Sequence, residues 1–151
     1  MADFKTTDEI LDFAIQNEQN AVDLYTSLAE KTKSSAVRAE FLQFANEERG
    51  HRAKLENVKS GRKLLDIDQR VQDLKIADYT VDVALGDDPD YPTVLLFAMA
   101  QEKAAFRLYS ALAALATEPD LKTMLLALAQ EEAKHKLRFE IEYDENVLKE
   151  N

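Results

Sequence analysis

Six side chains of this 151-residue sequence have donor atoms and spacings suited to divalent metal ions. They are four glutamates and the only two histidines of the chain: Glu18, Glu48, His51, Glu102, Glu132 and His135. Two Glu-x-x-His pairs occur among them, and residues three apart lie on one face of an α-helix. Each pair could therefore bind one cation through a carboxylate oxygen and an imidazole nitrogen.

Apolar periodicity predicts four helices that would carry these residues, over about 7–31, 35–60, 91–116 and 120–143. Thr6-x-x-Glu9 is a plausible capping box for the first helix, and Gly61 a plausible stop for the second. The core-facing positions of every helix are apolar except near its middle, where each carries a glutamate. Both histidines fall on the same faces.

Four carboxylates on core-facing positions need their charge to be neutralised. Burying one ion costs roughly several kcal/mol, even after the protein has relaxed around it. The carboxylates either take up protons or bind cations. Two divalent cations would neutralise four carboxylates beside two neutral imidazoles. One Glu from each of two helices and one Glu-x-x-His from each of the other two is the pattern of di-iron and di-manganese carboxylate bundles. The sequence therefore predicts a buried two-metal site.

An internal repeat relates the two halves of the chain. Residues 11–56 align without a gap on residues 95–140, and 15 of the 46 positions are identical. Two copies of one helical hairpin, repeat 1 over about 7–60 and repeat 2 over about 91–143, are the simplest account. The connection over 61–90 is long and too apolar for a free linker, so we expect it to pack on the bundle, with a short helix near 77–85. One long crossover predicts an all-α, ferritin-like antiparallel four-helix bundle in a single domain over 1–151.

Composition excludes several classes of function. The chain has no cysteine, which rules out thiolate zinc sites and Cys-ligated iron–sulfur clusters. Its three glycines are too far apart for a nucleotide-binding loop. The net charge of −10 disfavours nucleic acid and membrane surfaces as partners, and no apolar run could span a membrane. The N-terminus lacks the pattern of a secretion signal, so we expect a cytoplasmic protein.

The motifs Glu18-x6-Tyr25 with Glu47-Glu48-x-x-His51, and their repeats Glu102-x6-Tyr109 with Glu131-Glu132-x-x-His135, resemble those of the rubrerythrin branch of the ferritin-like superfamily. The resemblance implies two iron ions. Glu18 and His51 would be terminal ligands of one metal and Glu102 and His135 of the other, with Glu48 and Glu132 bridging. Tyr25 and Tyr109 would hydrogen-bond the carboxylate ligands, although packing alone is an alternative for them. Glu47 and Glu131 fit either a solvated face or contact with the ligands.

Three departures from the rubrerythrin pattern qualify what the resemblance implies. Ala105 stands where rubrerythrins have a further glutamate, which leaves a symmetric site and puts typical peroxidase behaviour in question. The cysteine-containing rubredoxin module is missing, so electrons must come from an external donor such as a rubredoxin-like protein. Arg49 follows Glu48 where the related bacterioferritins have a haem-ligating methionine, so no haem is expected. Ala21 and Ala105 either leave room for metals and a small oxidant or allow close helix packing.

The resemblance favours an oxidoreductase that reduces hydrogen peroxide or O2 at two irons. Ferroxidase activity and iron handling, as in ferritins, is the second hypothesis, and a redox-silent metal-binding bundle is the third. Manganese or zinc would also suit the ligand types. We expect a homodimer, in which the long crossover could permit exchange of hairpins between chains.

Overall fold

The computed structural model describes residues 4–61, 68–81 and 85–148. Long helices account for most of these residues, and the described part of the connection between the two hairpins contains one short α-helix and one 3₁₀ turn. In chain order the helices are α1 (Thr7–Lys31), α2 (Ser35–Ser60), the short α3 (Asp68–Val71), α4 (Tyr91–Leu115) and α5 (Pro119–Tyr143). The predicted all-α four-helix architecture is confirmed, and the described ranges contain no β-strand.

Short polar residues begin the helices where the sequence predicts. The Thr6 side chain accepts a hydrogen bond from the backbone N–H of Glu9, and Ser34 caps α2 by accepting from Val37. These bonds satisfy N–H groups that have no partner within the helix. Asp90 caps α4 in the same way. The breaks between α1 and α2 and between α4 and α5 are only a few residues long. Each pair of helices therefore forms an antiparallel hairpin.

The hairpins α1–α2 and α4–α5 pack face to face, with α1 lying against α4. The described part of the crossover packs on them as expected, because Val71 is fully buried and Tyr79 is nearly so. We expected a short helix over 77–85, but the structure has a 3₁₀ turn at Ile76–Tyr79, and the backbone at Thr80 is extended. Residues 62–67 and 82–84 lie outside the described residues.

The end of the chain is more ordered than its polar sequence predicts. A π-helical turn continues α5 over Asp144–Leu148, although the sequence there is polar. The Asn146 side chain donates a hydrogen bond of 2.8 Å to the buried Glu142 carboxylate, and Val147 packs against the apolar core. These two contacts hold the turn in place. Residues 149–151 lie outside the described part.

The apolar core is divided into two clusters. One contains Ile10, Leu11 and Ala14 of α1, with Leu112 of α4. The other contains later residues of α1, such as Leu28, together with the beginning of α4. Since the helices run antiparallel, the two clusters occupy opposite ends of the bundle. The middle of each helix lies between them, and that is where the charged core positions fall.

Candidate metal centre

All the predicted ligands meet in the middle of the bundle, between the two apolar clusters. Each is at most 4% exposed to solvent. One glutamate comes from α1 and one from α4, while α2 and α5 each supply a glutamate and a histidine: Glu18, Glu102, Glu48, His51, Glu132 and His135. The core-facing polar positions deduced from helical periodicity therefore form one buried polar layer.

The donor atoms of these residues form two overlapping groups. Glu18, Glu48, His51 and Glu132 make one group, and Glu48, Glu102, Glu132 and His135 the other; within each, one atom per residue lies within 4.8 Å of the others. Glu48 and Glu132 belong to both groups. This arrangement suits two cations side by side, with the shared carboxylates between them.

Each histidine points its Nδ1 atom at the shared carboxylates. His51 Nδ1 lies 2.6 Å from Glu132 Oε1 and 3.5 Å from Glu48 Oε1. His135 Nδ1 lies 3.0 Å from Glu48 Oε1. Each histidine thus contacts a glutamate of the opposite hairpin, and neither group of donors is complete without both hairpins.

The outer nitrogen of each histidine is bonded to a glutamate of the opposite hairpin. His51 Nε2 hydrogen-bonds Glu131, and His135 Nε2 hydrogen-bonds Glu47 Oε2 at 2.8 Å. A carboxylate at Nε2 favours a proton on that nitrogen and leaves Nδ1 for a metal. The side chains of Glu47 and Glu131 are 43% and 47% exposed, so they lie on the surface and also orient the histidines. The sequence left these two roles open as alternatives.

The two tyrosines differ, although the repeat makes them equivalent. The Tyr109 hydroxyl donates a hydrogen bond to Glu18 Oε1, and both residues are buried. The Tyr25 hydroxyl is also buried, but it has no hydrogen-bond partner among the described residues. Its ring packs edge-on against His135, with 6.2 Å between the ring centroids. Only one of the two expected tyrosine–carboxylate bonds is therefore present.

Burial and the nearness of the carboxylates favour proton binding in the metal-free layer. Burial, reinforced by Glu132 and Glu18, raises the pKa of Glu48 well above its usual range, and burial and Glu132 do the same for the pKa of Glu102. Burial alone would lower the pKa of His51, but the close carboxylates of Glu132 and Glu18 raise it to about 10. Burial alone would raise the pKa of Glu132, but its close contacts with Glu102 and His51 lower it. Metal ions would have to displace the protons that these groups hold.

Every one of the six residues keeps one buried donor atom that forms no well-directed hydrogen bond, although several of these atoms lie within ion-pair distance of one another. These atoms are Glu18 Oε2, Glu48 Oε1, His51 Nδ1, Glu102 Oε2, Glu132 Oε1 and His135 Nδ1. Buried polar groups are nearly always bonded, so six orphans in one layer call for an explanation. Carboxylate oxygens and imidazole nitrogens are ordinary ligands for iron, manganese and zinc. The residues present therefore fit a pair of metal ions.

A cavity of about 260 Å³ reaches the centre between α1 and α4. Glu18 and Glu102 line its inner end, and Ala21 and Ala105 also face it. The crossover contributes Tyr79 and its two following residues to the wall. The small side chains on α1 and α4 thus leave space beside the carboxylates, as one of the two alternatives for these alanines predicted.

Two helical hairpins with a carboxylate and histidine layer between them define a ferritin-like helical bundle. The rubrerythrin family model matches residues 9–84 and 93–151, and the chain belongs to the rubrerythrin family. Comparison with curated proteins and with solved structures gives no further match. No helix within the described ranges is long and apolar enough to cross a membrane.

Proposed function

We propose that this protein binds two iron ions and reduces hydrogen peroxide or O2 with electrons from an external donor. The observation that carries the proposal is the set of six orphaned donor atoms, one from each predicted ligand. Glu18 and His51 would hold one ion, Glu102 and His135 the other, and Glu48 and Glu132 would bridge them. Membership of the rubrerythrin family supports iron as the metal.

Iron, when bound, supplies redox chemistry that no side chain of this protein provides. The protein's own residues position the ligands and limit access. Tyr109 donates to Glu18 and holds one of its oxygens, which leaves the other free for a metal. Glu131 and Glu47 fix the ring orientations of the two histidines.

The cavity beside the carboxylates gives a small oxidant access to the centre. A volume of about 260 Å³ admits a small oxidant, and the flanking alanines keep the approach open. Reduction of one hydrogen peroxide to two waters consumes two electrons and two protons. These 151 residues contain no cysteine and thus no Cys-ligated cluster to supply those electrons, so we assign that role to a separate donor. Rubrerythrins often work with rubredoxin, which makes a rubredoxin-like donor the natural candidate.

The proposal is tested by loading metal-free protein with Fe(II) under anaerobic conditions and counting the iron retained. The loaded protein is then mixed with hydrogen peroxide or with O2 in a stopped-flow spectrometer. About two irons per chain and faster oxidation by peroxide are the expected results. Faster oxidation by O2, with iron released into a mineral, would replace the proposal by ferroxidase activity.

Two double variants make the metal test specific. Glu48→Gln with Glu132→Gln removes both shared carboxylates and should abolish stoichiometric iron binding. The control, Glu30→Gln with Glu145→Gln, makes the same chemical change at two exposed positions and should retain it. Equal iron binding by both variants would contradict the assigned site. Tight zinc binding without any reaction with either oxidant would indicate a redox-silent bundle instead.

A further inference from the structure

The exposed surface of the second hairpin has a groove that the metal centre does not use. It runs between α4 and α5 and has a volume of about 460 Å³. We call it the basic–apolar groove, and its principal residues are Lys103, Phe106, Arg107, Lys136, Leu137 and Glu140. It combines cationic and apolar side chains on a protein whose net charge is −10.

Apolar side chains and uncompensated cations are exposed together in this groove. Phe106 is 37% exposed and Leu137 is 56% exposed. Lys103 and Arg107 are exposed, and neither forms a salt bridge with any of the described residues. Only Lys136 is paired, with Glu140 on the same helix. An exposed apolar centre flanked by free charge is typical of a surface that binds another protein.

The internal repeat provides a comparison within the same molecule. On the first hairpin the positions equivalent to Lys103, Phe106, Arg107, Lys136 and Leu137 are Gln19, Val22, Asp23, Arg52 and Ala53. There, Arg52 hydrogen-bonds Gln19 and pairs with Glu56, while Gln19 bonds Asp23 at 3.1 Å. At these positions the first hairpin pairs its polar side chains with one another and presents no large apolar side chain. The predicted metal ligands are the same in both repeats, whereas these surface positions differ.

The basic–apolar groove lies directly outside the metal centre. Ala133 lines the groove and follows the shared ligand Glu132, and Lys136 follows His135. Phe106 is one helical turn beyond Glu102. The helical segments that carry three predicted ligands thus form the wall between the groove and the buried layer. A redox partner seated in the groove would be separated from the centre by only one layer of helix.

We infer that the basic–apolar groove is the docking surface for a small acidic electron-transfer protein. The inference rests on the proposed function, since it identifies where the external donor binds. Positive charge steers an acidic partner into encounter, and the apolar centre provides contact area without requiring tight binding. Two successive one-electron encounters would supply the two electrons that one peroxide consumes. A second copy of this chain fits less well, because two-fold pairing centred on the groove would bring its cations together.

The test uses a purified rubredoxin of net negative charge as the probe. The full chain, loaded with iron, is compared with the variant Lys103→Glu with Arg107→Glu. The control is Lys54→Glu with Lys122→Glu, which changes the net charge equally at two exposed lysines elsewhere. Rates are measured with reduced rubredoxin at several salt concentrations, and separately with dithionite, which needs no docking surface.

The groove variant should be reduced by rubredoxin at least about tenfold more slowly at low salt, and the difference should shrink as salt screens the charges. Its rate with dithionite should equal that of the unchanged protein, and the control should behave normally with both reductants. A second variant, Leu137→Ser, should weaken the reaction with rubredoxin without altering its salt dependence. Equal losses in the groove and control variants would overturn the inference.

Binding is also measured without turnover, from chemical-shift changes of labelled metal-free protein titrated with oxidised rubredoxin. Shifts confined to the groove, and lost in the groove variant, support docking even if the loaded protein reduces neither oxidant, in which case only the proposed function fails. Shifts elsewhere, or none at low salt, overturn the inference. Sedimentation of the full chain measures its oligomeric state. If the unchanged protein is a dimer and the groove variant is a monomer, the groove binds a second copy of the chain, which would overturn the inference.

Discussion

Replacing Tyr109 by phenylalanine removes the hydroxyl that bonds Glu18 and changes nothing else in the side chain. Glu18 is only 2% exposed, so water cannot readily replace the lost donor. A buried polar group left without its partner costs about 1–3 kcal/mol. The same substitution at Tyr25 removes a buried hydroxyl that has no partner among the described residues, and it should leave stability unchanged or raise it by up to about 1 kcal/mol.

Urea unfolding of the metal-free protein, followed by circular dichroism, measures both effects. For a domain of this length, about 1–3 kcal/mol corresponds to a fall in Tm of roughly 2–12 °C, which thermal melts would detect. The comparison is controlled internally, because the two tyrosines are equivalent in the repeat and undergo the same chemical change. Equal losses for both variants, with unchanged m values, would refute the assignment of a hydrogen bond to Tyr109 alone.

The other predictions concern protons, orientation and access. Because the pKa of His51 is raised to about 10 and those of Glu48 and Glu102 are also raised, metal binding at pH 7 should release protons, that of His51 among them, measurable by calorimetry in buffers of different ionisation heat, and affinity should increase with pH. The free energy of unfolding of the metal-free protein should fall by about 3 kcal/mol between pH 6.5 and 9. The reason is that protonated His51 stabilises the fold fully below pH 6.5, and this contribution is lost as the pH rises towards 10. In thermal melts, the metal-loaded protein should show a weaker dependence on pH. Glu131→Ala should lower metal affinity about 10–100-fold in a competition titration, because His51 loses the partner of its Nε2 atom. Ala105→Leu should fill part of the cavity and slow oxidation by peroxide while iron content stays the same, and slowing by an equal factor in Ala116→Leu, outside the cavity, would contradict the assigned route.

Helical periodicity and the repeat were sufficient to predict the bundle. The glutamates lie on the core-facing side of the four helices, near the middle of each. Packing the four core-facing sides together therefore places Glu18, Glu48, Glu102 and Glu132 in one layer. The ligand roles of these residues stay predictions until metal is bound. Prediction at this level works because each residue's level and face are fixed by a regular rise and rotation per residue.

Features that depend on contacts between elements could not be obtained in the same way. The two alternatives for Glu47 and Glu131 could be decided only once α2 and α5 were placed side by side, because each bonds a histidine of the opposite hairpin. Only Tyr109 of the two equivalent tyrosines bonds a carboxylate, although the sequence repeat makes their positions alike. No local sequence pattern predicts this difference. The turn over Asp144–Leu148 depends on a bond from Asn146 to a buried carboxylate, which its polar sequence does not reveal.

The crossed histidine contacts have a consequence for how such a chain could arise. Each hairpin carries one complete half of the donor set, and only the opposite hairpin completes it. Two identical hairpins paired on a two-fold axis would already assemble the entire layer. Joining two such hairpins through residues 61–90 would keep the six donor positions equivalent, while the two exteriors became free to diverge. The divergence of Lys103 from Gln19 and of Leu137 from Ala53 is the kind of change that only the fused form permits.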